Sequence, residues 1–200
     1  MLKKLVLATH NKGKVAEMSA MLSPYGVEVT SAADLGLPEP AETENTFVGN
    51  ALIKARAASV ASGLPVLADD SGLCVTALNG DPGVYSADWA GNPHNSKRDF
   101  NVAMQKVHDA LGDEADRSAY FISVFALVLP DGTEQIFEGR CNGQIVWPPR
   151  GTGGHGYDPF FMADGETRTF GEMTLDEKAK YSHRARACEQ FIRHCEEKVV

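Results

Sequence analysis

Residues 3–15 read Lys3-Lys4-Leu5-Val6-Leu7-Ala8-Thr9-His10-Asn11-Lys12-Gly13-Lys14-Val15. The apolar run in residues 3–8 predicts a buried strand. A helix is predicted over residues 13–22, because Val15, Met18 and Leu22 fall on one helical face. A strand that passes through a short polar turn into a helix is the unit from which α/β sheets are built.

The rest of the chain continues this alternation and then departs from it. Helices are predicted over residues 46–62 and 100–111, each followed by glycine, and a last helix buries Cys188, Phe191, Ile192 and Cys195 after a helical turn at residues 174–180. The predicted strands span residues 27–30, 65–68, 73–77, 119–129, 133–138 and 144–147, and the predicted loops span residues 35–45, 79–95 and 148–156. The late hairpin predicts an α/β fold with a mixed parallel and antiparallel central sheet flanked by helices.

Composition narrows the class of protein. The chain has 200 residues, 43% hydrophobic and 23% charged, and its formal net charge of −8 argues against nucleic-acid binding through a general basic field. No apolar run approaches the roughly 20 residues of a membrane-spanning helix, and the apolar stretch at the start is too short for a signal peptide. We therefore expect a cytoplasmic protein without membrane contact. The four cysteines show no C-x-x-C pair, and we expect small buried side chains in a reducing compartment.

Two short motifs favour phosphate and metal chemistry. The turn at residues 9–14 offers backbone N–H groups and Lys14 at a helix start, which suits a phosphate, although Ala8 and Val15 break the P-loop pattern. An ordinary strand–helix connection explains the turn equally well. Asp69 and Asp70 are expected at a strand end, where adjacent carboxylates repel unless a cation such as Mg²⁺ compensates them. The alternative is an Asp-rich turn that caps itself.

Three further segments carry polar groups, and each segment taken alone fits either a functional or a purely structural role. Glu42 precedes the helix that carries Lys54, which also fits a surface lysine lying along apolar neighbours. The glycine-rich loop at residues 151–161 ends in aromatic residues that can stack on a base. Ser182-His183-Arg184 opens the last helix, where donors suit an anion or a carbonyl oxygen, and helix capping is the simpler reading of this segment alone.

In this order, the segments resemble the inosine triphosphate pyrophosphatase family, which comprises dITP/XTP pyrophosphatases. The matching motifs are Thr9-His10-Asn11-Lys12-Gly13-Lys14, Glu42-Thr43 with Thr46-Phe47, Asn50-Ala51 with Lys54-Ala55, Ala68-Asp69-Asp70-Ser71-Gly72-Leu73, Pro82-Gly83-Val84-Tyr85-Ser86-Ala87, residues 151–160, Glu177-Lys178 and Ser182-His183-Arg184. They span nearly the whole chain. The resemblance implies one pyrophosphatase domain over residues 1–200, with two lobes, the active site in the cleft between them, and assembly as a homodimer.

The resemblance also implies an activity and a set of roles. The activity is Mg²⁺-dependent hydrolysis of ITP, dITP and XTP to the nucleoside monophosphate and pyrophosphate, which cleanses the nucleotide pool. Asp70 would be the base and a metal ligand together with Glu42, and Asp69 is a further candidate ligand. The implied substrate-binding residues are Thr9, His10, Asn11, Lys12, Gly13, Lys14, Lys54, Ser71, His155, Gly156, Tyr157, Asp158, Lys178, His183 and Arg184. Of these, Lys14 and Lys54 would hold phosphates, and His183 and Arg184 would read the 6-keto group of the base.

Two positions depart from the family pattern, and three other functions compete. His10 stands where some members have Gly, and His155 stands where many have a stacking Phe. A related pyrophosphatase for methylated or pyrimidine triphosphates is disfavoured by Ser182-His183-Arg184. A non-catalytic nucleotide sensor would not need the acidic residues, and a P-loop kinase would need the intact P-loop.

Overall fold

The structure is a computed structural model and describes residues 2–91, 98–180 and 182–197. The strands in this part of the chain are β1 (Lys4–Leu7), β2 (Glu28–Ser31), β3 (Val66–Val75), β4 (Ser118–Val128), β5 (Glu134–Ile145) and β6 (Phe161–Ala163). The α-helices are α1 (Lys12–Leu22), α2 (Phe47–Ser62), α3 (Phe100–Leu111), α4 (Leu175–Ala179) and α5 (His183–Glu197). Short 3₁₀ turns fill several of the connections.

The six strands form one mixed sheet in the order β2-β1-β3-β4-β5-β6. Strand β1 pairs in parallel with β2 and β3, whereas β6 runs antiparallel to β5. Five residues join β4 to its neighbour β5, which is the short connection of an antiparallel hairpin. The α/β class with a mixed sheet and flanking helices is therefore confirmed.

The helices begin and end where their capping residues predict. Asn11, Thr46 and Asp99 each accept a backbone N–H at the start of α1, α2 and α3. Thr174 and Glu177 form the predicted capping box of α4. Because these signals are local, the sequence places the helices to within a residue or two.

Strands β3 and β5 each correct the sequence prediction. Residues 65–68 and 73–77 were expected to be separate, but β3 continues through Asp69 and Asp70 to Val75. Residues 133–138 and 144–147 likewise merge into β5. Glycines and paired acids predict breaks locally, yet strand pairing and partners for the acids override that preference. Strand β6, which is only three residues long, was not predicted.

The chain divides into two compact units, each with its own apolar core. The first comprises Met1–Asp70, Ser123–Gly139 and His183–Val200, and the second comprises Ser71–Ile122 and Arg140–Ser182. The first core centres on Leu7, Phe125 and Phe191, which are almost fully buried. The second core centres on Phe160, Phe161 and Phe170.

Strand register places Asp69 and Asp70 beside the predicted phosphate turn. Leu7 at the end of β1 pairs with Leu67, and the Ala8 N–H donates to the Leu67 carbonyl at 2.9 Å. Strand β3 runs on past that point, so its next residues lie level with the turn that leads into α1. Ligands in α/β sheets bind at this end of parallel strands.

No helix in residues 2–91, 98–180 and 182–197 is long and apolar enough to cross a membrane. The four cysteines are buried, as expected. The end of the loop predicted over residues 79–95, from residue 92, lies outside the described residues. The single domain over residues 1–200 and the cleft location of the active site stay predictions.

Candidate active site

The predicted phosphate turn is capped by its own side chains. The Asn11 Oδ1 accepts the N–H groups of Gly13 at 2.9 Å and Lys14 at 3.2 Å, and Thr9 Oγ1 accepts the Asn11 N–H at 3.1 Å. Two backbone donors expected to face a phosphate are thus already bonded, because asparagine is a preferred N-cap. The charged groups of this turn are the ammonium of Lys14, which is largely buried, and that of the exposed Lys12.

Asp69 is buried and satisfied by protein groups on both carboxylate oxygens. Oδ1 accepts the Ser123 hydroxyl at 2.6 Å. Oδ2 lies 2.9 Å from Lys14 Nζ and 3.1 Å from Arg184 Nη2. Burial alone would raise the pKa of Asp69, but Arg184, Lys14 and Ser123 outweigh it and hold that pKa well below its ordinary value. Asp69 is therefore the counter-ion of two cations.

Asp70 meets a different set of groups. Consecutive strand residues point to opposite faces, and the partners of Asp70 come from α2 and the preceding loop rather than from α1 and α5. Lys54 Nζ lies 2.9 Å from Asp70 Oδ1 and 2.5 Å from Glu42 Oε1, and it donates to the Asp69 carbonyl at 3.0 Å. Asp70 Oδ2 is buried and has no hydrogen-bond partner among the described residues. Lys54, which also fitted a surface lysine, is buried.

One ammonium thus serves two carboxylates, and the pKa values follow from that imbalance. Burial raises the pKa of Asp70, the charge of Glu42 adds to the rise, and Lys54 opposes it without cancelling it. Burial works to lower the pKa of Lys54, but Asp70 and Glu42 outweigh burial, so that pKa is raised and the amine stays charged. With two carboxylates and one ammonium, the cluster of Asp70, Glu42 and Lys54 keeps an excess of negative charge.

The loop that carries Glu42 is fixed to the start of α2. Asn50 is buried, and its Oδ1 accepts the Glu44 N–H at 3.0 Å. Gly49 lies so close to this loop that a Cβ there would stand 2.6 Å from Glu44 Cβ and 2.9 Å from Thr46 Oγ1. Asn50 and Gly49 therefore set the distance between Glu42 and Lys54.

His10 links the turn to the same loop. Its Nε2 forms a hydrogen bond with the Leu37 carbonyl at 2.9 Å, so this nitrogen carries the proton. Its Nδ1 lies 4.0 Å from a Glu39 carboxylate oxygen. The His10 side chain therefore contacts protein groups of the loop.

In the second unit, Asp158 and Lys178 form a buried ion pair. Lys178 Nζ lies 2.7 Å from Asp158 Oδ2, which also accepts the His155 N–H at 2.8 Å. Gly154 has φ +71°, and a Cβ there would collide with the Asp158 carboxylate. Both charges of the pair are neutralised within the protein, so the pair shapes the glycine-rich loop.

Tyr157 also faces the protein interior. Its ring is buried against Phe100 with centroids 5.4 Å apart, and its hydroxyl donates to the Ser86 carbonyl at 2.9 Å. Burial raises the pKa of Tyr157 above its ordinary value. His155 and Gly156 are half-buried, as is Ser71 in β3. Contacts of these residues with a base or sugar stay predictions.

Arg184 lies in a buried network that the sequence did not predict. Its Nη1 lies 2.6 Å from Glu17 Oε2, and its Nε and Nη2 donate to Asp69 Oδ2. Its neighbour His183 is buried as well. Sequence reasoning missed Glu17 and Ser123, because a single acid on a helix and a serine in a strand carry no distinctive pattern. Base reading by His183 and Arg184 stays a prediction.

The acidic residues fit a hard divalent cation that is shared with phosphate. Among residues 2–91, 98–180 and 182–197, no group of three His, Cys, Asp or Glu side chains is arranged to hold a metal by itself. Mg²⁺ usually binds through one or two carboxylates plus substrate phosphates, and Glu42 and Asp70 supply that number. Among the described residues none forms a hydrogen bond with Asp70 Oδ2, so this carboxylate still has an oxygen to offer to a ligand.

Comparison with known proteins identifies the family of this chain. A sequence model of the Ham1 family matches residues 5–194. A dITP/XTP pyrophosphatase of Gluconobacter oxydans is 54% identical over 192 residues, covering 96% of this chain and 90% of that protein. A dITP/XTP pyrophosphatase of Caulobacter vibrioides is 55% identical over 186 residues, covering 92% of this chain and 93% of that protein. A solved HAM1 protein structure from Coxiella burnetii has a TM-score of 0.87 at 41% identity, covering 98% of this chain and 100% of that one.

The fold and these relatives define the class as a nucleoside-triphosphate pyrophosphatase, which confirms the enzyme class predicted from the sequence. The chain belongs to the Ham1 family.

Proposed function

We propose that this enzyme hydrolyses non-standard purine nucleoside triphosphates, namely ITP, dITP and XTP, to the monophosphate and pyrophosphate. The proposal rests on the names of relatives above 50% identity and, in the structure, on the buried Lys54–Asp70–Glu42 cluster. Such hydrolysis removes these nucleotides from the pool before they enter DNA or RNA. By the same resemblance we propose a cytoplasmic homodimer that binds no nucleic acid.

In this proposal Asp70 is the general base. A base must be able to take a proton at neutral pH, and burial together with Glu42 shifts the pKa of Asp70 in the required direction. Its Oδ2, which has no protein partner among the described residues, is the atom that would accept the proton of the attacking water. Lys54 holds the other oxygen and so fixes the orientation of the carboxylate.

Charge neutralisation comes from the two lysines and a metal. Phosphoryl transfer depends on positioning and on compensation of developing charge. We propose that Lys14 and Lys54 hold the phosphates. The turn around Lys14, formed by Thr9, His10, Asn11, Lys12 and Gly13, would bind them as well. Glu42 and Asp70 would hold Mg²⁺, which supplies Lewis-acid stabilisation of the phosphate oxygens when bound. Asp69 is left out of the metal set, because its oxygens accept from Ser123, Lys14 and Arg184.

The residues proposed to recognise the nucleoside are given for each unit by itself. In the second unit we propose that His155 and Gly156 contact the nucleoside, with Ser71 touching substrate and Tyr157, Asp158 and Lys178 shaping their loop. In the first unit, His183 would meet the 6-keto oxygen. Arg184, the next residue of α5, is proposed to read the same oxygen.

A panel of kcat/KM values for ITP, dITP, XTP, ATP and GTP with Mg²⁺ tests the proposal. We expect the first three to exceed ATP and GTP by at least about a hundredfold, because unmatched polar groups penalise the wrong base. Equal values for ITP and ATP, or tight ITP binding without turnover, would contradict it.

A further inference from the structure

We propose that Glu17 is a positioning residue for Lys14 and acts through Arg184 and Asp69. Its carboxylate lies 2.6 Å from Arg184 Nη1, and that guanidinium lies 3.1 Å from Asp69 Oδ2. The same Asp69 oxygen lies 2.9 Å from Lys14 Nζ. The four side chains, which we call the Glu17–Lys14 chain, belong to one compact unit.

The burial of this chain makes its charges strongly interdependent. The side chains of Glu17, Arg184 and Asp69 are 8%, 1% and 0% exposed, and that of Lys14 is 17% exposed. Two acids and two bases give no net charge. In such surroundings opposite charges attract more strongly than in water, and an unpaired charge is costly. Loss of the charge of Glu17 must therefore change the electrostatic interactions among the other three groups.

The order of the groups decides what Glu17 does to Lys14. Arg184 divides its guanidinium between Glu17 and Asp69, and Asp69 divides Oδ2 between Arg184 and Lys14. If Glu17 loses its charge, Arg184 draws more strongly on Asp69, and Asp69 holds Lys14 less strongly. Glu17 follows Lys14 by three residues in α1, a spacing that puts both on one helical face.

The consequence for the reaction rests on the proposed function. A bound triphosphate must compete with Asp69 for the Lys14 ammonium. Because the Glu17–Lys14 chain carries no net charge, it limits how tightly the triphosphate is bound. With Glu17 neutral, the region gains one positive unit, so substrate and pyrophosphate bind more tightly. A loosely placed Lys14 supports the transition state less well, since catalysis depends on geometry. Glu17 thus weakens the binding of pyrophosphate, which favours its release, and keeps Lys14 in position for the transition state.

The kinetic test compares the wild-type enzyme with Glu17→Gln. We expect the inhibition constant of inorganic pyrophosphate to fall about three- to tenfold, the size of effect of one charge in a partly desolvated network, while kcat falls. In a Lys14→Met background the same substitution should change pyrophosphate inhibition much less, because most of the effect passes through Lys14. Glu28→Gln removes an exposed carboxylate of the same unit and should change neither value. Reduced thermal stability with unchanged inhibition constant and kcat would overturn the proposal.

A second readout does not depend on nucleotide. The Lys14 amine is expected to react with a succinimidyl ester about three times faster in Glu17→Gln, with the exposed Lys12 as internal reference in peptide mass spectrometry. Equal rates in variant and wild type would overturn the proposal even if no nucleotide is hydrolysed, whereas failure of the wild type to hydrolyse ITP would overturn the proposed function alone. If Glu17→Gln does not fold, Glu17→Asp, which keeps the charge but shortens its reach, should show a smaller rise, and no rise overturns the proposal.

Discussion

Asp69 and Asp70 are neighbours in sequence but differ in their electrostatic surroundings. Asp69 faces two cations and a hydroxyl, which hold its pKa well below the ordinary value. Asp70 shares one ammonium with Glu42, no described residue forms a hydrogen bond with its Oδ2, and its pKa is raised. The first arrangement stabilises a permanent charge, and the second suits proton transfer. The sequence shows two acids in a row and cannot distinguish them, because Arg184 is 115 residues away from Asp69.

Substitution of each acid should therefore have a different effect. We expect Asp70→Asn to lower kcat by about 10²- to 10⁴-fold, the usual contribution of a general base, while the protein stays folded. Asp69→Asn should lower the free energy of unfolding by about 3–5 kcal/mol, because Arg184 loses a buried partner. Urea unfolding and ITP turnover, measured on both variants, check this. Equal stability losses in the two variants would contradict the distinction.

The metal assignment is tested at Glu42. Glu42→Gln should raise the Mg²⁺ concentration for half-maximal activity at least about tenfold, since it removes a charged ligand. Glu44→Gln, two residues along the same loop, is the matched control and should leave the Mg²⁺ dependence unchanged. The same Mg²⁺ response in both variants would remove Glu42 from the metal site.

At the scale of elements, the site depends on how loop and helix meet. The first turn of α2 packs against the Glu42 loop with no room for a side chain at Gly49. Helix α2 itself was predictable, because Thr46 and Gly63 are local caps. The course of β3 through both acids was not, because strand continuity depends on pairing with β1 and β4.

Gly49→Ala should expose this dependence. Alanine normally stabilises a helix over glycine by about 1 kcal/mol, but here its Cβ collides with Glu44 and the Thr46 cap. We expect no gain in stability and a weaker Mg²⁺ response, because the loop and Glu42 move. Val60→Ala, at an exposed position of the same helix, should leave activity unchanged. A more stable Gly49→Ala enzyme with unchanged Mg²⁺ response would contradict the close packing.

Cys188 in helix α5 is buried, which should suppress the reactivity of its thiol. Burial raises the pKa of Cys188 to about 12, so only about one thiol in 10⁴ is ionised at pH 8. Cys74 and Cys195 shift in the same direction, also through burial. Iodoacetamide should therefore modify Cys188 in guanidinium but not in the native protein. Rapid native labelling at Cys188 would contradict the buried position.

For the whole molecule, the buried charges link stability to acidity. The pKa of Asp69 is about 3.9 when unfolded and lower when folded, so its stabilising contribution is complete above that value and is lost as pH falls through the folded value. The stability difference between wild type and Asp69→Asn should therefore shrink below about pH 4. Urea unfolding at pH 5, 4 and 3 measures it. A difference that does not change with pH would show that Asp69 does not carry this linkage.

The sequence predicts the fold class better than it predicts the hydrogen bonds and ion pairs of the site. Alternating apolar segments and caps gave the mixed α/β sheet, and the motifs gave Lys54, Asp70 and Glu42. Glu17 and Ser123 could not be predicted, because their partners come from distant parts of the chain. The protein contacts that bury Tyr157 and Asp158 could not be predicted either, because they come from Phe100, Ser86 and Lys178. Contact of Tyr157 and Asp158 with substrate stays a prediction.

The central claim is that this enzyme splits ITP into IMP and pyrophosphate. A ³¹P NMR time course of the wild-type enzyme with ITP, ATP and Mg²⁺ in one tube tests it most directly. We expect the ITP signals to be replaced by those of IMP and pyrophosphate while the ATP signals persist. Formation of IDP and inorganic phosphate, or equal loss of ATP, would contradict the account.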